Sequence, residues 1–180
     1  MSRPPAPDLT DVDSVVASLH RGDFSALDPL FQVAPTDGAS LLARWIQEGR
    51  LAADRPALNE ALTCASFNGR NAWVSYLLER GADLAAGAGT GLNAIHWAAN
   101  RGQLETVRLL VARGAPLEAR NAYGGTVLGA TVWAALHEPR PTHAAIVEAL
   151  LAAGADAREA EYPSGHPAID ALLEGHRSRG

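Results

Sequence analysis

The chain has no lysine and only one cysteine. Cys64 stands alone, so no intrachain disulfide can form and a zinc site of four cysteines is excluded. All 15 basic residues are arginines, and against 20 acidic residues they leave a net charge of −5. That balance provides no electrostatic basis for holding nucleic acid or an anionic membrane surface. The opening MSRPPAPDL has no apolar core of the kind a secretory leader carries, and no apolar run approaches the length of a membrane span. The expected location is therefore the cytoplasm. What is abundant is alanine, a fifth of the chain. Together with the exclusive use of arginine, it fits a GC-rich, bacterial-type genome. Small alanines also let paired helices pack closely, which suits a stacked helical array better than a thick-cored globule.

The stretch Asn93 to Arg120 organises the rest. Ile95, Ala98 and Ala99 share one side at helical spacing, and Leu104, Val107, Leu110 and Val111 do the same in a second segment. Gly102 stands where the chain must turn back, and Gly114 where a residue with positive φ would stop the second helix. Neither helix is long enough to be stable alone, so each needs neighbours of its own kind.

Those neighbours recur at a fixed interval. Gly69 to Gly102 is 33 residues, and so is Gly81 to Gly114. Leu62 aligns with Ile95, Ala65 with Ala98, Val74 with Val107, and Leu77-Leu78 with Leu110-Val111. A third copy opens at Asn121 and closes at IVEALLAAGAD, residues 146–156; Gly114 to Gly154 is 40, so this copy carries seven extra residues. Few architectures combine such a period with helix, turn, helix and a glycine-containing loop. The chain resembles ankyrin-repeat proteins. Ala94-Ile95-His96-Trp97-Ala98 stands where that family has P-L-H-x-A. Asn121, Gly124 and Thr126-Val127-Leu128 stand where it has D-x-x-G-x-T-P-L, and Gly81-Ala82-Asp83 and Gly154-Ala155-Asp156 match its closing G-A-D. Asn93 replaces the usual threonine, and Thr63 and Gly129 occupy the flanking positions that match His96. The resemblance implies an all-α solenoid of helix-turn-helix units with short finger loops, a habit of binding proteins, and no shared catalytic residue.

On this reading residues 1–9 are a disordered, proline-rich lead-in and residues 10–54 a helical cap with a degenerate repeat. Repeats occupy 55–87, 88–120 and, with the insertion, 121–160; a capping helix and tail fill 161–180. In the cap, Thr10 or Asp11 can start a helix to His20, with Val12, Val15, Val16 and Leu19 as its buried stripe. A second helix can run from Phe24 to Gln32, although Pro29 inside it favours a late start near Asp28. A third spans Ala39 to Glu48. Gly49, 32 residues before Gly81, suggests that this third helix is half of a repeat. The alternative pairs the first two and leaves the third over. Helices are also expected over Pro56–Phe67, Asn71–Glu79 and Pro167–Glu174, the last burying Ile169, Leu172 and Leu173. The seven extra residues, placed around LHEPRP at 136–141, are expected to lengthen a first helix or its turn.

Chemistry has few candidates. The family pattern makes His96 structural, its ring bonding to the backbone of a neighbouring finger. His137, Glu138 and His143 miss the H-E-x-x-H spacing, and two prolines keep the imidazoles off one helical face. Cys64 lacks a cationic neighbour and reads as a small packed residue. Gly87, Gly89 and Gly91 lack the phosphate-binding spacing and suit a finger loop. No catalytic residue, metal or cofactor is assigned. By the family's geometry the first helices line a concave groove. Subtracting the period places Cys64, Trp97 and Ala130 in one column, and Phe67, Asn100 and Trp133 in another. Trp45 and Trp73, on second helices, read as packing between helices. The expected binding residues are Phe67, Trp97, Asn100, Arg101 and Trp133, with Tyr123 reaching in from a finger. The partner is a protein met by a rigid, monomeric, non-enzymatic module. The alternatives are an enzyme or small-molecule binder using the same groove, with His96, His137 or Glu138 as acid or base, and self-association through the caps.

Overall fold

The computed structural model describes residues 6–51, 53–87 and 89–178. Residues 1–5 of the expected lead-in and the end of the expected frayed tail lie outside the described residues. The described residues form ten α-helices and one three-residue 3-10 turn, with no strand. The chain divides between Asp83 and Leu84 into two compact units.

In the first unit, α1 (Val12–Arg21) and α2 (Phe24–Gln32) form a hairpin that packs on α4 (Arg55–Phe67), and α5 (Asn71–Glu79) packs on α4. Asp11 starts α1 by accepting from the N–H groups of Asp13 and Ser14. The chain is already held at Asp8, whose N–H donates to Ser14 Oγ at 2.9 Å. Val12, Val15 and Leu19 are buried and Val16 is half-buried. α2 begins at Phe24, the earlier of the two starts, four residues before the one the proline rule favours. Pro29 costs the Ser25 carbonyl its helical donor, about 3 kcal/mol in a helix interior. Phe24 and Leu27, both ahead of the proline, are buried. Two such side chains contribute roughly 3–6 kcal/mol. Burial wins.

Of the two pairings open to the cap, the structure shows α1 with α2. Their turn repeats that of the later hairpins. The N–H of Gly22 meets the Leu19 carbonyl, and that of Asp23 meets Ser18. Gly69 and Arg70 meet Ser66 and Ala65 in the same way, and Gly102 and Gln103 meet Ala99 and Ala98. The three glycines lie at φ 75°, 69° and 77°, where a side chain is strained. α3 (Leu41–Gln47), capped by Ser40, touches α2. Trp45 and Trp73 are both buried. Trp73 sits edge-on to Phe31 and Tyr76, and its Nε1–H donates to the Val33 carbonyl at 2.8 Å. Cys64 is also buried; desolvation pushes its thiol well up, so it is an inert packed residue.

In the second unit, α6 (Ala94–Asn100) and α7 (Leu104–Ala112) make one hairpin, and α8 (Val127–His137) and α9 (His143–Ala152) make the next. α6 packs on α8 and α7 on α9, so equivalent helices cover one another's apolar sides. The 3-10 turn Ala157–Glu159 lies against α8, and α10 (Pro167–Arg177) closes on α9. Ile169 and Leu173 of α10 are buried and Leu172 is half-buried.

The insertion lengthens the first helix, one of the two alternatives expected of it. α8 has 11 residues against 7 in α6, and the residues after it fold back over the preceding turn. Thr142 Oγ1 donates to the Gly102 carbonyl at 2.7 Å. The Arg140 N–H donates to His143 Nδ1, which leaves the ring proton on Nε2 for the Asn100 carbonyl at 3.2 Å. A Cβ on Gly102 would stand 2.8 Å from both Arg140 Cβ and Thr142 Oγ1. This glycine serves the turn and the close approach together.

Candidate functional site

The second unit has a half-open cavity of about 600 Å³ between its finger loops and its first helices. One wall is the finger Asn121–Gly125. Asn121 Oδ1 accepts from the N–H of Tyr123 at 2.9 Å and of Gly125 at 3.0 Å, and Gly124 turns at φ 84°. Together with the Asn121 N–H to Gly125 carbonyl bond at 3.0 Å, the side-chain oxygen fixes the tip. The Ala122 N–H donates to the Thr90 carbonyl at 2.8 Å, which ties this finger to the one before it. Tyr123, carried at the tip, is 81% exposed.

The opposite wall is α8. Gly129, Ala130 and Trp133 recur at i, i+1 and i+4 and share a face toward the cavity. Trp133 is 54% exposed although the His137 ring stacks on it, centroids 4.2 Å apart at 15°. The His137 Nδ1 sits 2.8 Å from the Trp133 carbonyl, which holds the stack.

The end of the cavity belongs to residues beyond the last helix pair. The 3-10 turn approaches α8 so closely that a Cβ on Gly129 would stand 2.7 Å from the Glu159 carbonyl oxygen. Glu159 and Glu161 line the cavity. Arg120 holds the first of them, Nη2 to Oε2 at 2.6 Å, while its Nη1 donates to the Gly124 carbonyl. One arginine therefore locks finger to turn. Asn100, at the end of α6, completes the lining; its buried Oδ1 has no hydrogen-bond partner among the described residues.

A family model described as ankyrin repeats, in three copies, matches residues 62–161, more than half of the chain. The chain belongs to the ankyrin-repeat family. Comparison with curated proteins gives no match.

Among the expected binding residues, the ankyrin register brings Asn100, Tyr123 and Trp133 to one cavity. Trp97 and Arg101 are half-buried at α6 and are not among its lining residues. Arg101 approaches Glu138 of the insertion at 4.0 Å. Phe67 lies in the first unit, half-buried and edge-on to Phe24 at 5.7 Å. Reasoning from the repeat missed Leu92, Asn121, Glu159 and Glu161. For the two glutamates no periodic signal exists, because they follow the closing glycine of the last repeat.

His96, the most conspicuous ankyrin signature residue, is fully buried and does not line the cavity. Asn93 Oδ1 accepts from both its backbone N–H at 3.3 Å and its Nδ1 at 2.8 Å, which places the ring proton on Nδ1. The ring is thus held by the residue that caps its own helix, and it also faces backbone groups at Gly125 of the neighbouring finger and at Ala119, as the family pattern implied. The Gly125 and Ala119 backbone groups favour the charged ring, but burial outweighs them and pushes the pKa down to about 4. Asn93 does the work of the usual threonine and serves the ring as well. Ankyrin repeats are typically non-catalytic binding modules, and no catalytic family matches this chain. The described residues contain no group of three histidines, cysteines or acids able to hold a metal ion. No described helix is long and apolar enough to cross a membrane.

Proposed function

We propose that this ankyrin domain is a non-enzymatic module that binds a protein partner through the finger and first-helix face of its second unit. The observation that carries this reading is the pair of exposed aromatic rings, Trp133 and Tyr123, on two walls of one cavity. Large rings exposed at a concavity exceed what a solvated surface requires, and they supply contact area at low ordering cost. Both rings are held beforehand, Trp133 by the His137 stack and Tyr123 by the Asn121 turn. Binding therefore orders little. Trp97 and Arg101, half-exposed at α6, widen the surface.

The test is capture of the partner from native cell lysate, followed by affinity measurements on the purified pair. Trp133→Ala and Tyr123→Ala should keep the helical circular dichroism spectrum and each weaken binding by about 2 kcal/mol, roughly thirtyfold. Unchanged affinity in both variants would place the contact surface elsewhere.

A further inference from the structure

The cavity is built from two kinds of group that share one type of guest. Trp133 and Tyr123 present aromatic surface, while Glu159 and Glu161 present carboxylates. Among the described residues, no arginine or histidine lines it. His137 already covers one face of Trp133, so the 54% exposure that remains belongs to the opposite face and edges of the indole. Glu161 is exposed and has no hydrogen bond or ion pair among the described residues.

Three classes of guest can be compared. An apolar side chain would cover the rings but leave the Glu161 carboxylate desolvated and unpaired, which costs binding energy. An acidic side chain would meet the uncompensated carboxylate of Glu161, since only Glu159 is neutralised, by Arg120. A cation satisfies rings and acids together. Between cations, guanidinium is planar, stacks on aromatic faces, is weakly hydrated and offers donors in a fork, whereas ammonium is a strongly hydrated point charge.

We propose that this cavity accepts the guanidinium of an arginine side chain presented by the partner polypeptide, stacked on Trp133 and paired with Glu161. The inference rests on the protein-binding reading above and adds the chemistry of the bound segment.

The experiment uses the full chain, 15N-labelled, and four capped pentapeptides, Gly-Gly-X-Gly-Gly, with X arginine, citrulline, lysine or leucine. The arginine peptide should shift the Trp133 indole N–H and the Gly125 and Gly129 amides saturably, and added salt should weaken the binding. Citrulline keeps the shape without the charge and should bind at least tenfold more weakly. Glu161→Gln should reduce arginine-peptide affinity three- to tenfold while leaving amide shifts outside the cavity in place. No saturable shift, or citrulline equal to arginine, overturns the proposal. Lysine equal to arginine overturns the guanidinium assignment, and stronger binding of the leucine peptide overturns the cationic one. Partner capture separates the two readings. If Trp133→Ala abolishes it and Glu161→Gln leaves it unchanged, the protein-binding reading stands and the arginine guest does not.

Discussion

The Glu159 carbonyl oxygen fills the space where a side chain on Gly129 would begin, 2.7 Å from the ideal Cβ position. Gly129 occupies the position that His96 holds one repeat earlier. There a buried imidazole fills the gap between helix and finger; here the backbone of the 3-10 turn comes in instead and carries Glu159 to the cavity. The missing histidine and the acidic wall are one structural event.

The first prediction follows from that contact. Gly→Ala inside a helix ordinarily stabilises by about 1 kcal/mol. Gly129→Ala should do the opposite and destabilise by about 1–3 kcal/mol, because a backbone oxygen cannot yield as a flexible side chain would. Urea denaturation measures the sign directly. A stabilised variant would mean that the turn does not rest on α8.

A second prediction concerns the insertion. Thr142 Oγ1 is the side-chain partner of the Gly102 carbonyl. Thr142→Val keeps the shape and removes the donor, leaving the Gly102 carbonyl only the Leu104 N–H at 3.1 Å, and should cost about 0.5–1.5 kcal/mol. Thr142→Ser should recover most of the loss in the same thermal melts. If serine fares no better than valine, the hydroxyl is not what anchors the loop.

How much of this was legible beforehand depends on whether a feature follows the period. The spacing of 33 placed Asn100 and Trp133 in one column, and the structure brings both to one cavity. The bounds Asn71–Glu79 of α5 were readable because glycines flank it in register with those around α7. The start of α2, Phe24 or Asp28, stayed open because the proline rule is local, while the burial of Phe24 and Leu27 on α4 is tertiary. The α1–α2 hairpin was ambiguous for a different reason. Its turn glycine, Gly22, lies 47 residues before Gly69, since α3 interrupts the period. Glu161 was out of reach altogether, because it is positioned by a non-repeating segment folding back on α8.

The third prediction uses the fork between α2 and the start of α5. Arg70 Nε donates to Asp28 Oδ1 at 2.8 Å and Nη2 to Oδ2 at 2.6 Å. The guanidinium holds the Asp28 carboxyl below its ordinary 3.8. A carboxylate with a lowered folded pKa contributes stability that is fully present above its unfolded value and lost as pH falls through the folded one. Asp28→Asn should therefore cost about 1 kcal/mol at neutral pH, the upper end for a partly exposed pair. The difference from the parent should close as pH drops below about 3.8. A gap independent of pH would assign the cost to packing and not to charge.

The fourth prediction is the pH response of the ankyrin histidine. His96 has a folded pKa of about 4 against 6.5 in the unfolded chain. Between those values the unfolded chain binds the extra proton, so stability falls as pH falls. The contribution of His96 is complete above about 6.5 and lost progressively toward 4. At 1.36 kcal/mol per unit the loss reaches at most about 3 kcal/mol. His143, buried and likewise lowered, adds a slope of the same sign. The comparison with His96→Gln isolates the first group. The variant should be less stable at neutral pH, because the packed ring is gone, yet lose less stability on acidification. Urea midpoints at neutral pH and near pH 4.5 give both slopes, and ring-proton NMR gives the pKa itself. Equal slopes in parent and variant, or a His96 ring that titrates near 6.5, would show that the imidazole is not held neutral by burial.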